Sequence, residues 1–260
     1  MSSNVIDSFR LDGKVAVLTG GAGLFGRQIV DGLAEAGAHV VMASRGVEKL
    51  EAVASEVKAR GLEASAMYLD QGDESSIEAL HDQATSRFGG VDVLVNNAVL
   101  RPMSGWGGDA EEFRRSMAVN VTGVFLMTRV FGDAMAERGR GSIVNVGSIQ
   151  GVVGPDFALY DGLGMDPAPD YYIHKGGMLQ LTRYAAAKLG PHGVRVNTVN
   201  PGGFFNDQDP EFVQRYDART FLGRMANHTD LKGPIVFLAS DASAYVTGAT
   251  LAVDGGYTAK

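Results

Sequence analysis

Residues 14–26 read KVAVLTGGAGLFG, an apolar run followed by four glycines within seven positions. The next segment, GRQIVDGLAEAG, places Ile29, Val30, Leu33 and Ala34 on one helical stripe and stops at Gly37, the place for a helix C-cap. Strand, glycine-rich turn and amphipathic helix in this order open a nucleotide-binding α/β fold. Gly20, Gly23 and Gly26 permit a tight turn and let backbone N–H groups approach a pyrophosphate, which then sits at the positive end of the helix. A tight turn without a ligand calls for the same glycines. Leu24 stands where a third loop glycine is expected and Phe25 follows it. Such a loop binds through its backbone, so the expectation is a changed path and not a disabled site.

Outward from this loop, short runs of strand character recur at 39–44 (HVVMAS), 64–69 (ASAMYL), 91–96 (VDVLVN), 142–146 (SIVNV) and 194–199 (VRVNTV). Helical periodicity fills the intervals, as in SSIEALHDQATSRFGG, which ends at Gly89 and Gly90. Strands that alternate with helices form a parallel sheet covered on both faces, a Rossmann-type doubly wound α/β fold. At 260 residues and 45% hydrophobic content the chain forms one domain, 1–260. One interval breaks the rhythm. Residues 151–170, GVVGPDFALYDGLGMDPAPD, hold four glycines and three prolines, and so long a loop in a compact domain is functional or mobile.

A formal charge of -7 with no basic run argues against a nucleic-acid or anionic-membrane surface. The absence of cysteine removes disulfides, thiolate catalysis and zinc–thiolate sites. The five histidines, 39, 81, 174, 192 and 228, form no ligand-like cluster, so no metal is expected. The polar start MSSNVIDSFRLDGK does not resemble a signal peptide, and no run is long enough for a bilayer; a cytoplasmic protein is expected.

Ser44 and Arg45 end the second strand, and no carboxylate is there to accept bonds from a ribose 2′-OH. Arg45 suits a 2′-phosphate, which favours NADP(H) over NAD(H); a solvated charge at a helix start is the plainer alternative. Asp70, with Gln71 beside it, ends the third strand where it can accept from the adenine amino group or simply form a turn. Tyr171 and Lys175, four apart in DYYIHKGGM, share a helix face, and a nearby ammonium favours the phenolate. A surface pair has the same spacing.

Taken together and in order, TGGAGLFG, VNNAV, MAVNVTG, VNVGSIQG, YYIHK and VNTVNPGG resemble the short-chain dehydrogenase/reductase family, over essentially the whole chain. The resemblance implies a seven-stranded sheet, completed by LAVDGG near the end, a nicotinamide dinucleotide and a homotetramer. It assigns Ser148 to the substrate oxygen and Tyr171 to general acid/base work. Lys175 would lower the tyrosine pKa and bind the nicotinamide ribose, and Asn120 would hold a water in the proton relay. Asn97 and Ala98 match the cofactor-side turn, and Pro201 and Gly202, with the Gly203 backbone, match the nicotinamide lining. Three departures stand out. Leu24 and Val99 replace family glycines; Asn206 stands near the place of a threonine after the Pro–Gly pair; and Ser148 lies 23 positions before Tyr171, where the family has about a dozen.

The surplus is the 151–170 segment, anchored at both ends beside the expected site. With a substrate lid expected over 203–222, it would shape a pocket for a small polar carbonyl or alcohol. Tyr160, Asp161, Asp166, Asp170 and Asn206 suit a polyol, and the pattern most resembles gluconate 5-dehydrogenase-like members. Arg101 is either a carboxylate-binding residue in the cleft or a surface arginine. An acyl-carrier-protein-linked 3-oxoacyl reductase would share the catalytic residues but want a basic rim. A sugar-nucleotide epimerase would want a further C-terminal domain, and a non-catalytic dinucleotide sensor would lose the hydroxyls of Ser148 and Tyr171.

Overall fold

The computed structural model describes residues 4–259; the outermost ends of the domain expected over 1–260 lie outside them. Seven strands form one sheet in the order β3-β2-β1-β4-β5-β6-β7, every neighbouring pair parallel. They are β1 (Val15–Thr19), β2 (His39–Ser44), β3 (Ala64–Tyr68), β4 (Val93–Asn96), β5 (Gly141–Val146), β6 (Val194–Pro201) and β7 (Thr250–Val253). The helices between them are α1 (Leu24–Glu35), α2 (Val47–Ala59), α3 (Glu74–Phe88), α4 (Ala110–Met117), α5 (Val124–Glu137), α6 (Pro169–Leu189), α7 (Pro210–Asp217) and α8 (Lys232–Ala239). The doubly wound expectation is met, with boundaries within two residues at most strand ends.

Alternation along each strand divides the core in two. Ala16, Leu18, Val93, Val95, Val144 and Val146 face one side, packed with Ile29, Leu33, Leu50 and Ile235 of α1, α2 and α8. Val15, Val17, Leu94 and Ile143 face the other, against Ile77, Met127, Phe131 and Leu189 of α3, α5 and α6. Both faces are dry, which is why the strand runs read as continuously apolar. Local chemistry starts the helices: Asp73 accepts from Ser75 N at 3.0 Å, Asp109 and Glu112 form a capping box, and Asp209 caps α7 ahead of Pro210.

Two details differ from the sequence expectation. The first helix begins at Leu24, not Gly26, so Leu24 and Phe25 belong to the helix and not to the loop. The 151–170 segment is shorter by two residues, because Pro169 and Asp170 already lie in α6. A third core cluster explains how that segment is held: Ile149 and Leu159 pack with Phe212 and Tyr216 of α7 and with Met225. Among the described residues no helix is long and apolar enough to cross a membrane.

Candidate active site

Because all seven strands run the same way, their C-terminal ends lie on one rim. The chain winds in opposite directions from β1 and from its neighbour β4, which opens a crevice there. The sequence-predicted residues meet at that rim. Gly20 and Gly23 lie in the turn after β1, Asn97 to Arg101 follow β4, Ser148 follows β5, Pro201 ends β6, and Gly202 and Gly203 follow it.

The first loop is shaped for a phosphate by backbone alone. A Cβ on Gly26 would stand 2.1 Å from the Gly20 carbonyl oxygen, so only glycine lets the helix start this close to the strand. Gly23 precedes α1 and no side chain caps its first turn, leaving N–H groups there for an anion. Leu24 is 50% exposed and leaves the cradle open. Asn97 fastens the two loops that border it: Nδ2 donates to Thr19 O at 2.9 Å and Gly20 O at 3.1 Å, while Thr19 Oγ1 accepts from Asn97 N and Ala98 N. These features fit a dinucleotide. Arg45 is exposed and has no ion-pair partner among the described residues, and Ser44 beside it is half-buried. Asp70 Oδ1 accepts from Gly72 N at 2.9 Å, the turn-forming role, with its other oxygen left over. Gln71 turns inward, where Nε2 donates to Val119 O at 2.9 Å. On the other side, Gly202 N donates to Val253 O and Gly203 N to the Tyr216 hydroxyl.

Ser148 follows β5 in extended backbone and is 7% exposed. Asn200 Oδ1 accepts from Ser148 N at 3.2 Å, and a Cβ on residue 147 would fall 2.0 Å from the same oxygen, which accounts for Gly147. On α6, Lys175 Nζ lies 5.7 Å from the Tyr171 ring centroid and donates to Val146 O at 2.5 Å. Burial alone would raise the Tyr171 phenol. The charges of Lys175 and Arg101, with hydrogen bonds to Ser148 and Arg101, outweigh it and bring the phenol below its ordinary value. Burial and the charge of Arg101 in turn lower the Lys175 ammonium, while Tyr171 opposes them. A hydroxyl donor beside a phenol tuned toward ionisation is equipped to bind an alcohol or carbonyl oxygen and exchange one proton with it.

Asn120 sits in a wide π-type turn, Ala118–Gly123, between α4 and α5, a distortion common at functional sites. Its side chain is fully committed: Oδ1 accepts from Leu100 N at 2.9 Å, and Nδ2 donates to Leu100 O at 2.6 Å and Ser116 Oγ at 3.0 Å. It therefore anchors the loop that carries Arg101, whose Cζ lies 4.1 Å from the Tyr171 ring centroid.

Around the mouth, Tyr160 hydrogen-bonds with Tyr172 and Gln150, and burial raises its phenol. Asp166 accepts from Trp106 N at 3.0 Å, Asp161 is exposed, and Asn206 is exposed with its N–H donated to Gln208. Arg215 donates to the Asp161 carbonyl at 2.8 Å and Arg219 pairs with Asp156, so α7 and the 151–168 segment hold each other.

Sequence reasoning passed over Asn200, Gly147 and His174. His174 is 1% exposed, meets the Tyr171 ring edge-on at 5.0 Å, and has no hydrogen-bond partner on either ring nitrogen. Burial, then Lys175 and Arg101, push its pKa down to about 3, so it stays neutral. Its place on α6, one turn from Tyr171, was the only signal available. No group of three or more acidic, histidine or cysteine side chains is arranged for a metal among the described residues.

Fold and site together define a doubly wound dinucleotide-type oxidoreductase. Residues 22–258 match the family model described as Enoyl-(Acyl carrier protein) reductase. The chain is 36% identical over 259 residues to galactitol 2-dehydrogenase (L-tagatose-forming) of Cereibacter sphaeroides, covering 96% of this chain and 97% of the relative. It is 37% identical over 257 residues to a 3-alpha-(or 20-beta)-hydroxysteroid dehydrogenase of Mycobacterium tuberculosis, covering 97% and 92%. The crystal structure of a gluconate 5-dehydrogenase from Burkholderia cenocepacia J2315, in complex with NADP and tartrate, superposes with a TM-score of 0.90 at 31% identity, covering 99% of this chain and 100% of that one. The chain belongs to the short-chain dehydrogenase/reductase family, and it is an enzyme of that oxidoreductase class.

Proposed function

We propose that this protein interconverts a secondary alcohol and its ketone on a small polyhydroxylated or acidic substrate, with NADP(H) preferred to NAD(H). The observation that carries it is the Ser148, Tyr171 and Lys175 arrangement, in which a serine hydroxyl and a buried ammonium bracket a phenol held below its usual pKa. When bound, the nicotinamide supplies or accepts the hydride. Ser148 and Tyr171 hold the substrate oxygen; in oxidation Tyr171 takes its proton, and in reduction gives it back. Lys175, fixed by Val146 O, keeps the phenol acidic enough for both directions.

Arg45, exposed just after β2 and without an ion-pair partner among the described residues, supports the 2′-phosphate assignment, as does the NADP in the Burkholderia structure. The polar mouth, with Tyr160, Tyr172 and Asn206, and a galactitol dehydrogenase among the relatives support a polyol or a short hydroxy acid. An acyl-carrier-protein partner is less well served, because Arg215 and Arg219 at the rim are already paired with Glu211 and Asp156. The exposed Val121 in the π-type turn and Phe125 at the start of α5, with Ile173 and Tyr184 on α6, support a homo-oligomer, read here as a cytoplasmic homotetramer.

The test is initial-rate reduction of NADP+ and NAD+ over a panel of polyols and sugar acids. Turnover is expected with NADP+ ahead of NAD+, and Arg45→Ala lowers that preference about tenfold, the worth of one charge-assisted contact. An unchanged preference in the variant removes the 2′-phosphate assignment.

A further inference from the structure

Arg101 sets a second positive charge, besides that of Lys175, beside the Tyr171 phenol. Its guanidinium lies over the Tyr171 ring, 4.1 Å from Cζ to centroid, and its charge favours the phenolate. Among the described residues it has no carboxylate partner, whereas Arg215, Arg219 and Arg224 are paired with Glu211, Asp156 and Asp230. Of the acids of the 151–168 segment, Asp156 is spent on Arg219 and Asp166 on Trp106 N, and Asp161 is exposed and pairs with no arginine among the described residues. Nor is Arg101 carried on a loose loop, since Asn120 clamps both the N–H and the carbonyl of Leu100. The buried Lys175 stands on the same ring at 5.7 Å, so two cations face one phenol with no acid between them.

We propose that Arg101 makes this a site for hydroxy acids and keto acids whose carboxylate lies one or two carbons from the reacting carbon. From its place over the ring the guanidinium pairs with that carboxylate. The inference rests on the dehydrogenase chemistry proposed above. A planar fork of N–H donors matches a carboxylate in a bidentate pair, a stronger contact than a ring face offers a cation. The distance limit follows from the geometry. The substrate oxygen must reach the Ser148 and Tyr171 hydroxyls, while an anion paired with Arg101 sits just above the same phenol, so the two groups are separated by very few bonds.

The experiment uses substrates that share one secondary alcohol: 3-hydroxybutanoate, its amide and its methyl ester, with 5-hydroxyhexanoate as an acid whose charge is too distant. Neutral polyols serve as the reference, and kcat and KM are measured with saturating NADP+ and NAD+ for the natural enzyme, Arg101→Lys and Arg101→Gln. In the natural enzyme, kcat/KM for 3-hydroxybutanoate should exceed that of its amide about 10- to 100-fold, the span of a hydrogen bond to a charged group. The distant acid should gain nothing over its own amide. Arg101→Gln should lose the preference mainly through KM, with part of it restored by added methylguanidinium. Arg101→Lys should be intermediate, as a point charge without the fork.

Equal rates for acid and amide in the natural enzyme, or a preference that survives Arg101→Gln, overturn the inference. Polyol turnover that the short acids neither share nor inhibit overturns it too, and leaves the dehydrogenase chemistry standing. No turnover of any alcohol with either cofactor removes both.

Discussion

The two halves of the crevice are built by different means. On the cofactor side, the turn after β1 is made of backbone packed to contact: a Cβ on Gly26 would fall 2.1 Å from Gly20 O, and Asn97 ties the turn to the β4 loop. On the substrate side, the 151–168 segment meets α7 through side chains at the surface, Arg219 to Asp156 and Arg215 to main-chain carbonyls, over a small apolar cluster of its own. One side permits almost no substitution, because the nearest neighbours of Gly26 are main chain. The other can change its lining while keeping its contacts, which is how one fold takes relatives named for a sugar alcohol and for a steroid.

Between the halves stands Tyr171, and the largest effect should come from its tuning. Lys175→Met is expected to lower turnover about 10²- to 10⁴-fold, the usual worth of positioned acid–base catalysis. It should also leave a signature in pH. The groups facing the phenol are Lys175 and the neutral His174 from α6, Arg101 from the β4 loop and Ser148 after β5. In alcohol oxidation Tyr171 must be ionised, so kcat/KM rises with pH through a pKa below the ordinary 10.0. Removing Lys175 takes away the largest favourable contribution, and this limb should move to higher pH. A large loss of rate with an unmoved limb would assign Lys175 to cofactor binding alone.

Gly26→Ala probes the rigid half. Overpacking against main chain costs about 1–3 kcal/mol, and the loss should fall on the dinucleotide, raising its Kd about tenfold or more in a fluorescence titration. Trp106, the single tryptophan, is 83% exposed and lies on the loop that Asp166 holds, so its quenching reports the substrate side in the same titration. Normal affinity in Gly26→Ala would mean that the turn is less confined than its contacts imply.

Arg219→Ala probes the adaptable half and should do least. A partly exposed ion pair is worth about 0–1 kcal/mol, so thermal stability should change by no more than that. KM for the alcohol should shift while cofactor Kd does not. A matching loss of cofactor affinity would join the two halves into one unit and break the contrast between them.

The same contrast sets what the sequence made legible. The parallel doubly wound sheet, the glycine cradle and the Tyr171 and Lys175 pair depend on spacing and on residue types with few substitutes, so KVAVLTGGAGLFG and DYYIHK pointed to them, while Ser148 came through the family resemblance of VNVGSIQG. Leu24 was misplaced in the loop because a helix start depends on backbone angles that the letters do not carry. Asn120 was legible as a site residue, but its commitment to the Leu100 backbone was not, since the two lie 20 positions apart. Arg101 had two readings in the sequence, and only the folded chain stacks it on Tyr171. His174 and Asn200 lie inside YYIHK and VNTVNPGG, but nothing in those letters shows what each side chain meets. Their roles come from burial and from one neighbour each.

The most direct test is Tyr171→Phe, assayed for NADP+ and NAD+ reduction over the alcohol panel with cofactor affinity measured in parallel. The loss of one hydroxyl should remove about 10²- to 10⁴-fold of turnover and leave dinucleotide affinity within about twofold of the natural enzyme, a difference of under 0.5 kcal/mol. Full turnover in Tyr171→Phe, in protein that binds its cofactor normally, would contradict the assignment of acid–base chemistry to this phenol.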